Sequence, residues 1–297
     1  MPNYKEVNCS TACNRVKGPF PYNWDMNIYR GCEHGCVYCF AMYSHEFLGS
    51  EQYFDDIFIK INIVERLEKL LSSPSWKREV INIGGVTDSY QPIEEKYRLM
   101  PDILRLFIKH KNPCIISTKS DLILRDYELI AELASITYVN VAATITCMDE
   151  TIRKKIEPGS VSSERRFGML KEFSKTDACI GLHAMPLIPY LTDTRENLEV
   201  LFSRGKSCGA KCAIPDALNL RGRTKQAFFD FLHREYPELC KPFAELYKSG
   251  KLDRAYRYKL YSKVNELRTK YGLSLDYRSL MNEKLKQAEG VQLSLFD

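Results

Sequence analysis

The chain has 297 residues, a net charge of +5, 44% hydrophobic and 27% charged residues, and only 15 Gly and 13 Pro. That balance fills the core of one large domain or two small ones, and it excludes a disordered chain, a collagen-like repeat and a disulfide miniprotein. The sequence holds no run of about 18 apolar residues, and its first 16 residues hold no apolar h-region, so neither a membrane span nor a secretory signal is expected. A cytoplasmic location follows, where the 11 Cys stay reduced and act as metal ligands, reactive thiols or small core residues.

Taken in chain order, residues 1–25 read as an irregular segment broken by Gly18, Pro19 and Pro21. A first strand is expected near Met26–Tyr29. Further β-rich apolar runs follow at Val80–Ile83, Cys114–Ser117, Tyr138–Ile145, Cys179–Leu182 and Lys211–Ile214. Amphipathic helical stretches separate them at Ile61–Leu71, Lys96–Lys109, Tyr127–Ala134, Ser163–Phe173 and Arg195–Arg204. The alternation predicts an α/β fold, a partial (β/α)6 barrel over residues 26–222, with function at the C-terminal ends of its strands. Residues 223–289 read as an α-helical C-terminal extension: Lys225–Arg234, Pro242–Lys248, Arg254–Tyr271 and Tyr277–Gln287. Gly290 is expected to break the last helix and release a tail, residues 290–297.

Charge is uneven along this order. Residues 217–287 carry 16 Lys/Arg against 8 Asp/Glu, a net of +8, together with eleven Phe and Tyr, which leaves a net of −3 elsewhere. Cations suit phosphates and rings suit bases, so the stretch suits a nucleic acid; a solvated basic face over an aromatic core accounts for the same pattern and is the plainer reading.

The strongest local signal is Cys32-x3-Cys36-x2-Cys39, directly after the first predicted strand. Three thiolates on one loop can hold three irons of a [4Fe–4S] cube and leave the fourth iron open. Gly31 and Gly35 allow the loop to curl. A zinc knuckle completed by His34 or His45 uses the same residues and would make the chain a non-catalytic nucleic-acid-binding module. Cys9/Cys13 and Cys208/Cys212 are two more C-x3-C pairs that could form a second metal site.

The run from Asn27 to Cys39, with Tyr38 before the last Cys, then Gly84-Gly85-Val86-Thr87-Asp88, Ser117-Thr118-Lys119-Ser120, Glu157-Pro158-Gly159 and Arg165-Arg166, resembles the spore photoproduct lyase-like branch of radical S-adenosylmethionine (SAM) proteins. The resemblance implies a [4Fe–4S] cluster on Cys32, Cys36 and Cys39. It implies S-adenosyl-L-methionine on the open iron, cleaved after reduction to a 5′-deoxyadenosyl radical, and an electron donor such as flavodoxin or ferredoxin. Carried over residue by residue, Tyr38, Gly84, Gly85, Asp88, Ser117, Lys119, Thr144 and Thr146 become cofactor-binding candidates. Arg165 could also meet the methionyl carboxylate, although a helix-surface arginine is the plainer reading, and Pro186, Ile188 and Pro189 become an adenosine wall. The lyase's hydrogen-donating Cys has no counterpart, since Val86 stands there. Cys147 and Tyr90 are the substitute donors, and His183 is a further candidate. The implied reaction is hydrogen abstraction from a nucleotide in DNA, for repair or modification; RNA, a peptide or a small molecule are the alternatives. The terminal Gln292-Leu293-Ser294-Leu295-Phe296 resembles the peptide by which bacterial replication and repair factors bind the sliding clamp.

Overall fold

In a computed structural model of the chain, residues 2–275 and 277–293 are described, the side chains of residues 47, 48 and 287–293 excepted. The chain opens with β1 (Asn3–Val7), β2 (Cys13–Arg15), β3 (Trp24–Met26), β4 (Tyr29–Arg30), a 3-10 helix at Phe40–Leu48 and β5 (Asp56–Lys60). Strands and helices then alternate: α1 (Ile63–Leu71), β6 (Ile81–Ile83), α2 (Glu94–Tyr97), α3 (Leu99–His110), β7 (Cys114–Thr118), α4 (Tyr127–Ile136), β8 (Val139–Thr144), α5 (Glu150–Ile156), α6 (Ser163–Phe173), β9 (Cys179–Leu187), α7 (Arg195–Ser207) and β10 (Cys212–Ala217). Four helices follow: α8 (Gly222–Glu235), α9 (Cys240–Leu246), α10 (Arg254–Lys270) and α11 (Tyr277–Leu293).

The main sheet has the order β10-β9-β8-β7-β6-β3-β2. Its strands β3, β6, β7, β8, β9 and β10 are parallel, and β2 closes the edge antiparallel to β3. These six parallel strands with their helical crossovers are the expected partial barrel. Helices shield the outer face, which is why a central strand such as β8 (Val-Asn-Val-Ala-Ala-Thr) is buried along its whole length. Each helix contributes an apolar stripe at helical spacing, as Ile63, Leu67 and Leu71 do in α1. Side-chain caps start several of them: Asp149 at α5, Ser162 at α6, Thr194 at α7 and Asp253 at α10.

Four local expectations need correction. Residues 1–25 are not irregular throughout. β1 pairs parallel with β5, and β2 pairs with β3. Both are edge strands with mostly exposed or half-exposed residues, so they lack the apolar run that marks a central strand. The predicted first strand divides instead between two sheets, β3 in the barrel and β4 against β5. The helix predicted over Lys96–Lys109 breaks at Arg98, which takes a left-handed conformation (φ 49°). Pro101 has no N–H and would crowd the carbonyl four residues earlier, so the helix restarts there. The Glu94 carboxylate accepts from Leu99 N and Met100 N, at 3.1 and 3.0 Å, to cap the new helix. Finally, α11 continues through Gly290 to Leu293, past the predicted break. The clamp-like peptide ends in Ser294–Phe296, which lie outside the described residues. Among the described residues no helix is long and apolar enough to cross a membrane.

Candidate functional site

The cysteine loop follows β4 and lies across the C-terminal ends of the barrel strands. Cys32 and Cys36 are buried and Cys39 is half-buried. Gly31 (φ 84°) and Gly35 (φ 63°) take the turns that bring the three thiols onto one loop. Burial pushes the Cys36 thiol up to about 12 and raises Cys32 and Cys39 as well. Buried thiols of this kind ionise when a metal binds, because coordination replaces the lost hydration.

Two segments clamp the loop. The first is Thr87–Gln91. Thr87 Oγ1 donates to Gly31 O (2.5 Å), Gln91 Nε2 to the same oxygen (3.2 Å), and Glu33 N donates to Gln91 Oε1 (3.0 Å). The second is Glu157-Pro158-Gly159. Gly159 N donates to His34 O (2.9 Å), Val37 N to Ile156 O (3.1 Å), and the Tyr38 hydroxyl to Glu157. A Cβ on Gly159 would stand 2.2 Å from Glu33 O, so the two backbones touch.

Asp88 ties these parts together. Its carboxylate accepts from Thr118 Oγ1 (2.8 Å), Lys119 N (2.8 Å) and Tyr90 N (2.9 Å), and His34 Nε2 lies 2.9 Å away. Burial alone would raise its pKa, but the His34 ring and the two backbone N–H groups bring it down to about 2. With every lone pair engaged, Asp88 is a buttress joining the end of β7 to the cysteine loop. Glu157 plays the matching part on the other side. It is buried against the fully buried Arg166 (2.6 Å), and despite burial the Arg166 and Lys119 charges lower its pKa to about 2. Arg166 also donates to Thr144 O (2.7 Å) and Val161 O (2.7 Å). Thr146 Oγ1 lies 3.4 Å from Glu157 Oε1.

The ends of β6 and β7 supply the remaining candidates. Gly85 is held by Asp25, which takes bonds from Asn82 (2.7 Å), Asn27 (2.6 Å) and the Gly85 N–H, while Gly84 N donates to Met26 O (2.9 Å). Asn27 Oδ1 fixes the next residue through Val86 N (2.8 Å). Lys119 reaches over the Tyr38 ring, its Nζ 5.8 Å from the centroid. It makes no ion pair with a described residue, and although burial opposes its charge, Cys36 and Glu157 raise its pKa. Ser117 Oγ lies 3.3 Å from His183 Nδ1, and His183 Nε2 meets the Tyr277 hydroxyl, which α11 inserts into the barrel. Burial and the Lys119 charge lower His183 to about 4, so its ring is neutral near pH 7.

The hydrogen-donor candidates fall apart in space. Cys147 shares an apolar cluster with Cys36, Tyr38 and Ile188, and its thiol, pushed up to about 12 by burial, faces Asp149 O at 3.4 Å. Tyr90 is buried with its hydroxyl turned to Asp126 (3.2 Å). Arg165 is exposed and bound through Nε and Nη2 to Asp121, at 2.6 and 2.7 Å, which is the helix-surface role rather than a cofactor contact. Asp25, Asn27, Asn82, His34 and Glu157 escaped the sequence reading as supports. Their signal is weak because each acts through a partner distant in sequence.

The donor set fits an iron–sulfur cube better than one zinc ion. Among the described residues no three His, Cys, Asp or Glu side chains converge as a single-ion site. A cube takes each thiolate on a different iron and needs no such convergence. Of the two proposed fourth zinc ligands, His34 has both ring nitrogens engaged, whereas His45 keeps Nδ1 unpartnered but joins no described group of three ligands. His34 faces Asp88 and Gly159 O (3.1 Å), and His45 Nε2 donates to Asp56 O (2.8 Å). Nor do the two further Cys pairs meet: Cys13 in β2 and Cys212 in β10 lie at opposite edges of the main sheet.

Comparisons with known proteins agree. Uncharacterized proteins of Mycobacterium tuberculosis and Mycobacterium bovis are each 34% identical over 299 residues, covering 99% of this chain and 88% of theirs. An uncharacterized protein of Methanocaldococcus jannaschii is 30% identical over 78% of this chain and 86% of its own. In fold, the chain is similar to spore photoproduct lyase solved with AdoMet and dinucleoside spore photoproduct, with a TM-score of 0.68, 11% identity, and 91% and 80% of the two chains covered. The family model described as the radical SAM superfamily matches residues 26–201. The group uses a [4Fe–4S] cluster, which Cys32, Cys36 and Cys39 would hold, and S-adenosylmethionine, and this chain belongs to the radical SAM superfamily.

Proposed function

We propose that this radical SAM enzyme acts on DNA, taking hydrogen from a nucleotide in a repair or modification reaction. When bound, the reduced cluster and S-adenosylmethionine supply a 5′-deoxyadenosyl radical, which abstracts hydrogen. The chain's own residues orient and shield that chemistry. Gly84 and Gly85 make room for Thr87 O and the Asp25 carboxylate, which fixes the end of β6 beside the cysteine loop. Lys119 offers an unpaired cation to a carboxylate, and the Tyr38–Glu157–Arg166 group holds the cysteine loop rigid beside it.

The observation that carries DNA as the substrate is where the basic region packs. α8 lies on the cysteine loop, with Thr224 Oγ1 donating to Cys39 O (2.9 Å). The same helical region exposes Arg221, Lys225, Lys248, Lys251, Arg254 and Lys259, none of which forms an ion pair with a described residue. Unpaired cations next to a cofactor suit a polyanionic substrate. Spore photoproduct lyase, which has the same fold, was solved with a dinucleoside photoproduct. Val86, where that lyase's thiol is expected, argues for a reaction other than that lyase's own, with the donor still to be supplied by a group such as Cys147.

The test is anaerobic turnover with a low-potential one-electron donor of the flavodoxin or ferredoxin class, on ultraviolet-damaged and undamaged DNA. Release of 5′-deoxyadenosine that rises with DNA, together with an altered nucleotide, is expected. Release that ignores DNA but rises with RNA or a peptide would overturn the DNA assignment and leave the radical chemistry standing.

A further inference from the structure

The first turns of α8 face two ways. Inward, Arg223 pairs with Glu46 (3.0 Å) and Glu51 (2.9 Å), and Thr224 holds Cys39 O. Ala227 packs with Cys32, Ala41, Met42 and Tyr53, and Phe228 packs in the cluster that contains Cys36 and Tyr38. Outward, the same turns line a cleft of about 510 Å³ with α9 and the residues after it: Lys225, Gln226 and Phe229 on one wall, Ala244, Tyr247 and Lys248 on the other. That volume is within the range of pockets that take small organic groups, about 300–1,000 Å³.

The walls are already organised. Tyr247 is anchored by its hydroxyl to Leu218 O (2.7 Å) and stacks on Phe243, with ring centroids 6.1 Å apart and an interplanar angle of 4°. Gln226 is bound to Asp230 (2.8 Å). The two lysines are different. Lys225 and Lys248 are exposed on opposite walls, and neither makes an ion pair or a side-chain hydrogen bond with a described residue. Phe229 is half-buried beside Lys225. Two unpaired ammonium groups flanking an aromatic ring match the parts of a nucleotide: a phosphate for the cations and a base for the ring.

We infer that the α8–α9 cleft is a subsite for an unpaired segment of the DNA, with Lys225 and Lys248 on backbone phosphate and Phe229 against a base. The inference rests on DNA being the substrate and adds where the strand is held. A strand in this cleft lies along the outer side of the helix whose inner side closes the cysteine loop, so one helix separates it from that loop. Arg221 and Lys251, also exposed and unpaired, extend the basic surface on either side of the lysines in sequence.

The experiment measures anisotropy of a fluorescein-labelled single-stranded oligodeoxynucleotide, with the iron-loaded, S-adenosylmethionine-bound protein and a series of salt concentrations. The double variant Lys225→Glu, Lys248→Glu is expected to flatten the slope of log affinity against log salt by about 1.4, two phosphate contacts at ~0.7 each. Phe229→Ala is expected to weaken binding on the order of tenfold without flattening the slope. Iron content and melting temperature check that each variant folds. For Phe229, which is half-buried, Phe229→Leu keeps the packing and is expected to show the same loss. If the unaltered protein binds with a steep salt slope and the variants match it, the strand lies elsewhere and the cleft assignment falls while the DNA reading stands. If the unaltered protein shows no salt-dependent binding, the DNA reading falls and takes the cleft with it.

Discussion

The strand-end mouth and the outer face of the helical extension treat charge in opposite ways. In the mouth, Asp88, Glu157 and Arg166 are buried and each is met by several partners from different elements. On the outer face of α8–α10, cations such as Lys225, Lys248 and Lys259 stand in solvent without an ion pair to a described residue. A buried charge costs several kcal/mol unless it is partnered, so the mouth is a rigid mould in which little can change. An exposed cation costs almost nothing to keep unpaired, so the outer face is free to wait for an anion. On the proposed function, the difference would separate the holding of a cofactor from the capture of a substrate.

The largest effect should come from the mouth's thiols. Cys36→Ser is expected to remove nearly all cluster iron and sulfide and to abolish 5′-deoxyadenosine release, measured by metal analysis and chromatography after anaerobic loading. Retention of a full iron complement would show that the loop is not the cluster's holder.

Next comes the buried pair. Arg166→Ala leaves Glu157 charged and unmatched, and a loss of about 3–5 kcal/mol in chemical unfolding is expected. Acid probes the same contact without mutation. Glu157 and Asp88 are each depressed to about 2 from ordinary values of 4.5 and 3.8. A depressed carboxylate adds stability above its unfolded pKa and loses it as pH falls toward the folded one. The melting temperature should therefore drop between about pH 5 and pH 2, and Glu157→Gln should make that drop shallower. An unchanged acid profile in Glu157→Gln would place the proton uptake elsewhere.

Much of the barrel was legible because its central strands are apolar runs and its helices carry apolar stripes; both are local patterns. The cysteine loop was legible because three ligands lie within eight residues. What stayed hidden depends on pairing across the chain. β1 is recognisable only beside β5, more than 50 residues away, and the Asp25 support for Gly85 is visible only once β3 and β6 are neighbours. Arg165 and Arg166 show the limit most sharply. They are adjacent and chemically identical in the sequence, and the reading, which set a helix-surface role for Arg165 ahead of a cofactor contact, gave Arg166 no separate role. Helical geometry turns Arg166 into the mouth and Arg165 out to Asp121.

A smaller effect tests how tightly the mould is closed. In Gly159→Ala the new methyl meets Glu33 O at 2.2 Å, a backbone atom that cannot rotate away. The loop must shift, and a loss of about 1–3 kcal/mol with reduced iron retention is expected. Full stability and full loading in this variant would mean that the mouth has slack and that its comparison with the outer face is overdrawn.

The smallest expected effect lies just outside the mouth. Arg165 is 61% exposed, and its carboxylate partner Asp121 is 18% exposed. Solvent screens such a pair, so Arg165→Ala should cost no more than about 1 kcal/mol in urea unfolding and should leave cluster loading intact. Its neighbour's several-fold larger loss would then arise from burial alone, since residue type, helix and sequence position are nearly the same. If the two arginines instead cost equal amounts, partnered burial would not be what distinguishes the two regions, and the rigidity of the mouth would have to come from the apolar cluster around Cys36 and Tyr38.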